Sequence, residues 1–357
     1  MSSRPGTINP RILILFMVVG LLPLGVGSII LLNSARDNHQ DEIARLLSSL
    51  ADSAQMALNN YLQNQIVEVA AIATVPEVRD QVFRSNPSEV TAAQEQIESD
   101  WDQLDANESP LLVSILQNPA SRFLRDFAAV APALREIFVT DVHGRVVAAT
   151  NKTSDYFQAD ERWWQHAYRQ GTGGHYLSDV LFDQSVGSYA IEVAEPVMDP
   201  ETNTAIGVLK AALDGQEIVG LVNSVDSGDY GNTVLMRGDG TVIVSRRPQP
   251  PGDEFPYAEQ VVAASSASRN WIEVGSDQGR AVIGLARARL KDTYPELDWY
   301  LMVERPHSSE IGAFASMNLN FLYIVIFSVL VVLILSWVFS KVLSRPIIET
   351  DPHLEQL

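Results

Sequence analysis

The side chains best suited to chemistry are aromatic and polar residues clustered between positions 156 and 183. Aromatic walls with a few polar groups are typical of sites for small ligands. Trp163 and Trp164 are adjacent, and on a helix they point about 100° apart, so one can pack in the core while the other lines a pocket. The candidate ligand-binding residues are Tyr156, Glu161, Arg162, Trp163, Trp164, Tyr176, Ser178, Asp179 and Asp183.

Each candidate also has a structural interpretation. Both tryptophans suit a core, and Tyr156 and Tyr176 suit packing with a bonded hydroxyl. Asp179 and Asp183 could bind an ammonium group or another cation, but Asp183-Gln184-Ser185 is also an ordinary turn. A calcium site from these and neighbouring carboxylates is disfavoured, because their spacing matches no calcium-loop motif. We therefore predict a ligand site without a metal.

Catalytic motifs are missing from the sequence. It contains no cysteine, which excludes disulfides, thiolate zinc sites and cysteine nucleophiles. None of its six histidines forms a His-x-x-x-His pair, and no Gly-x-Ser-x-Gly elbow is present. The net charge of −19 argues against nucleic acid as a partner, since phosphate binding needs a basic face. The sequence predicts neither an enzyme nor a cofactor.

Two long apolar runs, Ile12–Leu32 and Leu319–Ser340, contain no charged residue. A helix of about 20 residues crosses the roughly 30 Å hydrocarbon core of a bilayer. The first run is too long for a signal peptide and lacks a small-residue cleavage site, and the second is too long for an ordinary buried helix. We predict transmembrane helices at 12–32 and 319–340, in contact with the lipid bilayer.

Basic residues flank both runs on one side. Arg4 and Arg11 precede the first run, and Lys341 and Arg345 follow the second. Positive flanks stay cytoplasmic, so residues 1–11 and 341–357 are expected inside the cell. Residues 33–318 are then extracytoplasmic or periplasmic, in a multi-pass protein of the cell (inner) membrane.

The outer segment shows two kinds of periodicity. Residues 33–75 have helical spacing, and a second helical region at about 89–130 is interrupted by Pro110 and Pro119. Strand–turn–strand patterns follow around Gly144 and again around Gly240, which lies 96 residues later. This repeat predicts two copies of one α+β module, at 76–215 and 216–318.

Together, the long helix, the hairpin, Arg162-Trp163-Trp164, the polar loop and the second smaller copy resemble the double Cache sensor domain over residues 34–317. The resemblance implies an α+β fold with a long N-terminal helix and two PAS-like antiparallel-sheet modules, flanked by two transmembrane helices. It also implies that the membrane-distal module, 76–215, holds the ligand. Ser344-Arg345-Pro346-Ile347 resembles the start of a HAMP linker, here cut short at residue 357.

Within this family an amino-acid-binding subset has a recognisable pattern. Tyr156 and Trp163 match it, and Trp164 replaces its Tyr. Its Arg position falls on Glu161, with Arg162 one residue away. Tyr176, Ser178 and Asp179 lie where its Tyr and Asp would be, whereas its closing-strand Asp is replaced near Ala211-Ala212. An α-carboxylate needs a cation and an α-ammonium needs a carboxylate, so these departures from the pattern predict a ligand other than a plain amino acid.

The leading functional prediction is a transmembrane receptor that binds a small ligand and passes a helix shift across the membrane. The resemblance implies a homodimer and a cytoplasmic signalling partner. The alternatives are a membrane-tethered adaptor that signals through a partner and, with less support, an anchored hydrolase. Only about seventeen residues follow the second run, so we expect the output domain either in a longer chain or in another protein.

Overall fold

A computed structural model describes residues 10–86, 92–104, 109–183, 188–225, 231–247, 252–276, 279–288, 290, 294, 297–306 and 311–343. These residues form two compact units. One comprises Met1–Arg45, Ser276–Arg280 and Pro306–Leu357, and the other comprises Leu46–Gly275 and Ala281–Arg305. The HAMP-like segment at 344–357 lies outside the described residues.

Helix α1, Pro10–Ala73, confirms the predicted long N-terminal helix and joins it to the first apolar run. Its buried residues recur at helical spacing, as Leu47, Leu58, Leu62 and Val69 show. The helix ends before Pro76 because the residue before a proline disfavours the α conformation.

The last helix contains the most apolar segment of the described chain. This helix spans Ile311–Leu343, and within it Leu322–Phe339 has a mean hydropathy of 2.9 over 18 residues. That segment is long and apolar enough to cross a membrane. In the first run the described apolar stretch is shorter, Met17–Ser28, so the predicted crossing at 12–32 stays a prediction.

The first module is built on one sheet, with four helices before its strands in the sequence and one helix inserted between β2 and β3. Four helices precede the sheet: α2 (Pro76–Ser85), α3 (Ala92–Asp100), α4 (Pro110–Leu116) and α5 (Pro119–Val130). The sheet and its inserted helix are β1 (Leu134–Asp141), β2 (Val146–Ala149), α6 (Arg162–Tyr168), β3 (Tyr176–Leu177), β4 (Leu181–Asp183), β5 (Ser188–Met198) and β6 (Ala205–Asp214). The strand order is β2-β1-β6-β5-β3, with β4 also pairing β5, and every pair is antiparallel.

The predicted interruptions at Pro110 and Pro119 are helix starts. Each proline is the first residue of its helix, where its missing N–H costs nothing. The preceding Ser109 and Asn118 cap the helices by accepting from the backbone N–H groups of Leu112 and Ser121.

The second module repeats this plan in a smaller form. Its elements are α7 (Gln216–Asn223), β7 (Asn232–Arg237), β8 (Val242–Ser245), α8 (Ala258–Ser266), β9 (Trp271–Ser276), β10 (Gly279–Arg287), β11 (Trp299–Pro306) and then α9, the helix Ile311–Leu343. Its strand order is β8-β7-β11-β10-β9. Gly144 and Gly240 occupy equivalent hairpin turns with φ of 81° and 93°, a conformation that favours glycine. The two sheets confirm the predicted double α+β fold.

Helix α1 packs directly on the second sheet at Gly284 of β10. A Cβ at this position would lie 2.2 Å from the carbonyl carbon of Leu47. Ser48 Oγ also donates to the carbonyl of Asn270 at 2.8 Å. The backbone of α1 therefore touches the strand because glycine leaves room for it.

We expect Gly284→Ala to lower the free energy of unfolding by roughly 1–3 kcal/mol, since overpacking forces backbone shifts. Gly220→Ala is the matched control, because Gly220 lies within α7 with nothing within 4 Å of its added Cβ. That change should stabilise the chain by up to about 1 kcal/mol through helix propensity. Thermal unfolding of the full chain compares the two, and equal midpoints would contradict the close approach.

Candidate ligand site

Helix α6 carries the adjacent tryptophans and packs on β5 and β6. It begins after Glu161, whose backbone is extended, and ends at Arg169, which adopts a left-handed conformation with φ of 47°. Trp163, Trp164 and Ala167 are its buried residues, as expected for a short helix lying on a sheet.

Both tryptophans are buried, but their neighbours differ. Trp164 Nε1 donates to Thr140 Oγ1 at 2.9 Å, and its ring stacks on Tyr168 with centroids 4.6 Å apart. Trp163 packs edge-on against Phe138, with centroids 5.6 Å apart. The ammonium of Lys210 lies 5.0 Å from the Trp163 centroid. Trp163 is therefore the member of the pair that faces a charge.

Lys210 in β6 is the centre of a charged and aromatic group that we call the Lys210 cluster: Lys210, Glu192, Phe138 and Trp163. Lys210 Nζ lies 2.5 Å from Glu192 Oε1 and 5.6 Å from the Phe138 centroid. The side chains of Lys210 and Glu192 are only 11% and 21% exposed. The cluster forms because both strands turn these alternate positions toward the same sheet face, next to α6.

Glu161 belongs to the electrostatic surroundings of this cluster. Glu161 is an exposed residue, and the loss of part of the water around its carboxyl is the main cause that raises its pKa above the ordinary 4.5. The negative charges of Asp160, Glu192 and Asp155 raise this pKa further, and Lys210 opposes them. Of the predicted site residues, Trp163 belongs to the Lys210 cluster, and Glu161 is linked to it through the effect of Lys210 on its pKa.

Sequence reasoning missed Lys210 and Glu192. A signal was present, because Lys210 is the only charged residue between Ala205 and Leu213. Strand alternation alone would have placed it on the same sheet face as Val208 and Ala212.

The two predicted tyrosines have other polar surroundings. Tyr156 packs with Trp101, centroids 5.3 Å apart, and lines a cleft of about 330 Å³. The cleft also contains the buried ion pair of Arg145 with Asp141, joined at 2.6 Å. Tyr176 is half-buried and meets His166 edge-on, with centroids 5.7 Å apart. Arg162, at the start of α6, is exposed.

Ser178 fastens the segment between β3 and β4 to strand β5. Its backbone N–H donates to the carbonyl of Glu192 at 2.9 Å, and its Oγ accepts from the Glu192 N–H at 2.8 Å. Glu192 therefore holds Lys210 with its side chain and Ser178 with its backbone.

Asp179 connects the two modules. Its carboxylate pairs with Arg237 Nε of β7 and accepts from Trp299 Nε1 of β11 at 2.9 Å. Arg237 Nη2 also donates to the carbonyl of Val180 at 2.8 Å. We call Asp179, Arg237 and Trp299 the inter-module bridge. Asp183 ends β4, where it pairs with Ser188, and its side chain lies outside the described part.

Within the described residues, no group of three histidine, aspartate or glutamate side chains is arranged to hold a metal ion. The Lys210 cluster consists instead of a lysine, a glutamate and two aromatic rings. Such groups bind and orient charged ligands by hydrogen bonds and cation–π contacts.

Comparison with known proteins identifies the family. Residues 32–317 match the family model of the Cache domain in its double form, dCache_1. The chain therefore belongs to the double Cache family, whose domains are sensory and not catalytic, and the predicted resemblance is confirmed. No curated protein sequence matches this chain significantly.

Solved structures of chemoreceptors share the fold. The ligand-binding domain of Campylobacter jejuni chemoreceptor Tlp3 in complex with L-norvaline is 12% identical, with a TM-score of 0.53, covering 76% of this chain and 93% of that chain. The ligand-binding domain of Pseudomonas fluorescens chemoreceptor CtaA in complex with L-serine is 14% identical, with a TM-score of 0.50, covering 75% and 99%. At these identities the likeness shows the fold.

Glu195 carries a buried carboxylate and lies in β5, three residues after Glu192. Its Oε2 lies 2.5 Å from Nδ1 of the largely exposed His175, and among the described residues its Oε1 has no hydrogen-bond partner. Burial raises the pKa of Glu195 above 4.5, and the contact with His175 opposes the shift. The folded chain therefore holds a proton on Glu195 more readily than the unfolded chain does.

This raised pKa fixes the sign of a pH effect. The Glu195 contribution to the free energy of unfolding should fall as pH rises from 4.5 through the raised folded pKa. Glu195→Gln should flatten this slope and raise the melting temperature at pH 7 relative to the parent chain. Glu201→Gln, in an exposed turn, is the control. Parallel melting curves for parent and Glu195→Gln between pH 4.5 and 7 would refute the assignment.

Proposed function

We propose that this chain is a transmembrane sensory receptor whose first module binds a small ligand at the Lys210 cluster and passes the change to the second module. The observation that carries the proposal is a partly buried ion pair, Lys210–Glu192, beside aromatic rings. The backbone of Glu192 is also hydrogen-bonded to Ser178, the residue before Asp179 of the inter-module bridge.

The ion pair supports a binding role because it is costly to the fold. Taking two charges out of water is rarely repaid fully by their attraction. Aromatic rings with a few charged groups are, in contrast, what ligand sites use for orientation. The Campylobacter jejuni and Pseudomonas fluorescens domains that share this fold are complexes with L-norvaline and L-serine, which supports a small organic ligand here.

A continuous path supports signalling. Glu192 is bonded to Ser178, the next residue Asp179 holds Arg237 and Trp299, and Trp299 begins β11. The chain then runs from Pro306 at the end of β11 to Ile311 at the start of α9, which contains the apolar stretch Leu322–Phe339. A ligand shifts this system only by its different affinity for two states.

The proposed arrangement in the membrane is the one predicted from the apolar runs and their basic flanks. Crossings at 12–32 and 319–340, with basic flanks inside the cell, place the two modules outside it, the first distal to the membrane. We propose that the chain acts as a homodimer in the bilayer and reports to a cytoplasmic signalling partner.

Ligand binding is tested by thermal shift of the full chain in lipid nanodiscs against amino acids, organic acids, amines and purines. A ligand at 100 times its Kd should add about 2.7 kcal/mol of stability. Trp163→Ala should abolish the shift, whereas Trp271→Ala, at a partly exposed site in β9, should keep it. A shift that survives Trp163→Ala would place the ligand elsewhere, and no shift across the panel would favour the adaptor alternative.

The inter-module bridge makes a separate prediction. Asp179→Asn should lower the free energy of unfolding by roughly 1–3 kcal/mol, because a charged hydrogen-bond partner is lost. It should also speed hydrogen exchange in β7 and β11 of the full chain. Asp298→Asn removes an Arg–Asp pair of the second module whose side chains are 40% and 32% exposed, against 26% and 22% for Arg237–Asp179. This control should cost under about 1 kcal/mol. If the two variants change the free energy of unfolding and hydrogen exchange equally, the inter-module bridge has no special part in coupling the modules.

A further inference from the structure

We infer that the first module has a second ligand site, the cleft beside Arg145, and that this site takes a small uncharged amide with an aliphatic body. The cleft, of about 330 Å³, lies among α2, α3, α4 and the β1–β2 hairpin. Pockets for small ligands start at roughly 300 Å³. The described lining contains no residue of the Lys210 cluster, so this site is separate from the one in the proposed function.

Arg145 is the charged donor of the cleft, and its side chain is only 4% exposed. Its Nε donates to Asp141 Oδ2 at 2.6 Å, and its Nη2 donates to the carbonyl of Ser85 at 2.9 Å. Among the described residues, Nη1 has no hydrogen-bond partner. A donor that stays unpaired away from bulk water is costly. The two N–H groups of Nη1 are therefore left for an acceptor in the cleft.

Asp141 has no hydrogen-bonding capacity left for a ligand cation. Its Oδ1 accepts from the backbone N–H groups of His143 and Arg145, and its Oδ2 accepts from the Arg145 guanidinium. Asp141 and Arg145 together carry no net charge. A charged ligand would be taken from water without a counter-ion, which is costly, whereas an uncharged ligand avoids this cost.

The other polar groups of the cleft are those that an amide satisfies. Ser85 Oγ and Ser114 Oγ each donate to a backbone carbonyl of their own helix, so both hydroxyl oxygens face a ligand as acceptors. Gln81 also lines the cleft, and its side-chain amide offers a donor and an acceptor. A ligand carbonyl suits Arg145 Nη1, and a ligand N–H suits the serine oxygens.

The walls of the cleft are mainly aliphatic, and they select the body of the ligand. Burial of apolar surface is favourable in proportion to its area, so these walls favour a ligand with an apolar body. The aliphatic residues that line the cleft are Ile97, Leu111, Ile115, Val146 and Val147.

The second module builds the same turn without a buried ion pair. Arg145 and Thr241 each follow the turn glycine, and each forms an isolated β-bridge. Their carbonyls accept from the backbone N–H groups of the equivalent residues Asp141 and Arg237. Since threonine at 241 keeps this turn, the turn does not require the guanidinium at 145. Arg145 is an addition of the first module, as expected of a group that serves a ligand.

The test is a ligand-detected NMR titration of the full chain in nanodiscs of zwitterionic lipid, with protein-free nanodiscs as the blank. The probes share one aliphatic body: 3-methylbutanamide, sodium 3-methylbutanoate and 3-methylbutylammonium chloride. The amide should bind at least about tenfold more tightly than either ion, because each ion must lose its hydration without a counter-ion. An acid or amine that binds as tightly as the amide, or no binding of the amide, would overturn the inference.

Two variants test whether the amide binds in the cleft. Ser114 is exposed and lines the cleft, so Ser114→Phe should fill the entrance and weaken amide binding at least about tenfold. Arg145→Lys keeps a positive charge beside Asp141 but removes Nη1, and it should weaken amide binding at least about fivefold. If Arg145→Lys fails to fold, Ser114→Phe decides the question alone.

Ser266→Phe is the matched control for Ser114→Phe. Ser266 is also an exposed helical serine whose Oγ donates to a carbonyl of its own helix, but it lies in α8 of the second module. This variant should change amide affinity by less than about twofold. Amide binding that Ser114→Phe weakens no more than Ser266→Phe does would contradict a site in the cleft.

Lys210→Met separates this inference from the proposed function. It should leave amide affinity within about twofold of the parent value, because the cleft and the Lys210 cluster share no described residue. Loss of amide binding in Lys210→Met but not in Ser114→Phe would overturn the inference and place the amide at the Lys210 cluster. Failure of the amide to bind at all would overturn the inference and leave the thermal-shift test of the proposed function unaffected.

Discussion

The Lys210–Glu192 ion pair is the constraint around which the first module is arranged. A lysine that is 11% exposed within an apolar strand must have compensating partners. Those partners come from three elements: Glu192 from β5, Phe138 from β1 and Trp163 from α6. The position of α6 on the sheet is therefore tied to the charge on β6.

Comparison of the two modules distinguishes features that the fold requires from features that only the first module has. Both copies share the strand plan, the glycine turn and a hairpin register shift, at Val139/Thr140 and at Leu235/Met236. At the position equivalent to Lys210 the second copy has Met302, packed in a purely apolar cluster. The charge is thus a feature of the first module and not of the architecture.

The sequence predicted features that depend on local pattern and missed those that depend on distant partners. The long helix, the hairpins and the buried tryptophans follow from periodicity and turn residues. The sequence predicts Asp179 as a ligand residue, and this stays a prediction; its pairing with Arg237 and Trp299, 58 and 120 residues away, could not be predicted from local pattern. Lys210 was missed because its meaning depends on Glu192, which only the pairing of β5 with β6 brings near.

Glu192 links the Lys210 cluster to the inter-module bridge, which is the route that the proposed function requires. Its side chain holds Lys210, and its backbone makes two hydrogen bonds with Ser178, whose neighbour Asp179 holds β7 and β11. Any ligand that competes for the Glu192 carboxylate changes the balance of forces on β5 and on the segment bonded to it. Because Asp179 is the next residue after Ser178, little chain freedom is available to absorb that change. The proposed signal transfer therefore requires no motion of the whole module, only two positions of this short segment whose energies a ligand makes unequal.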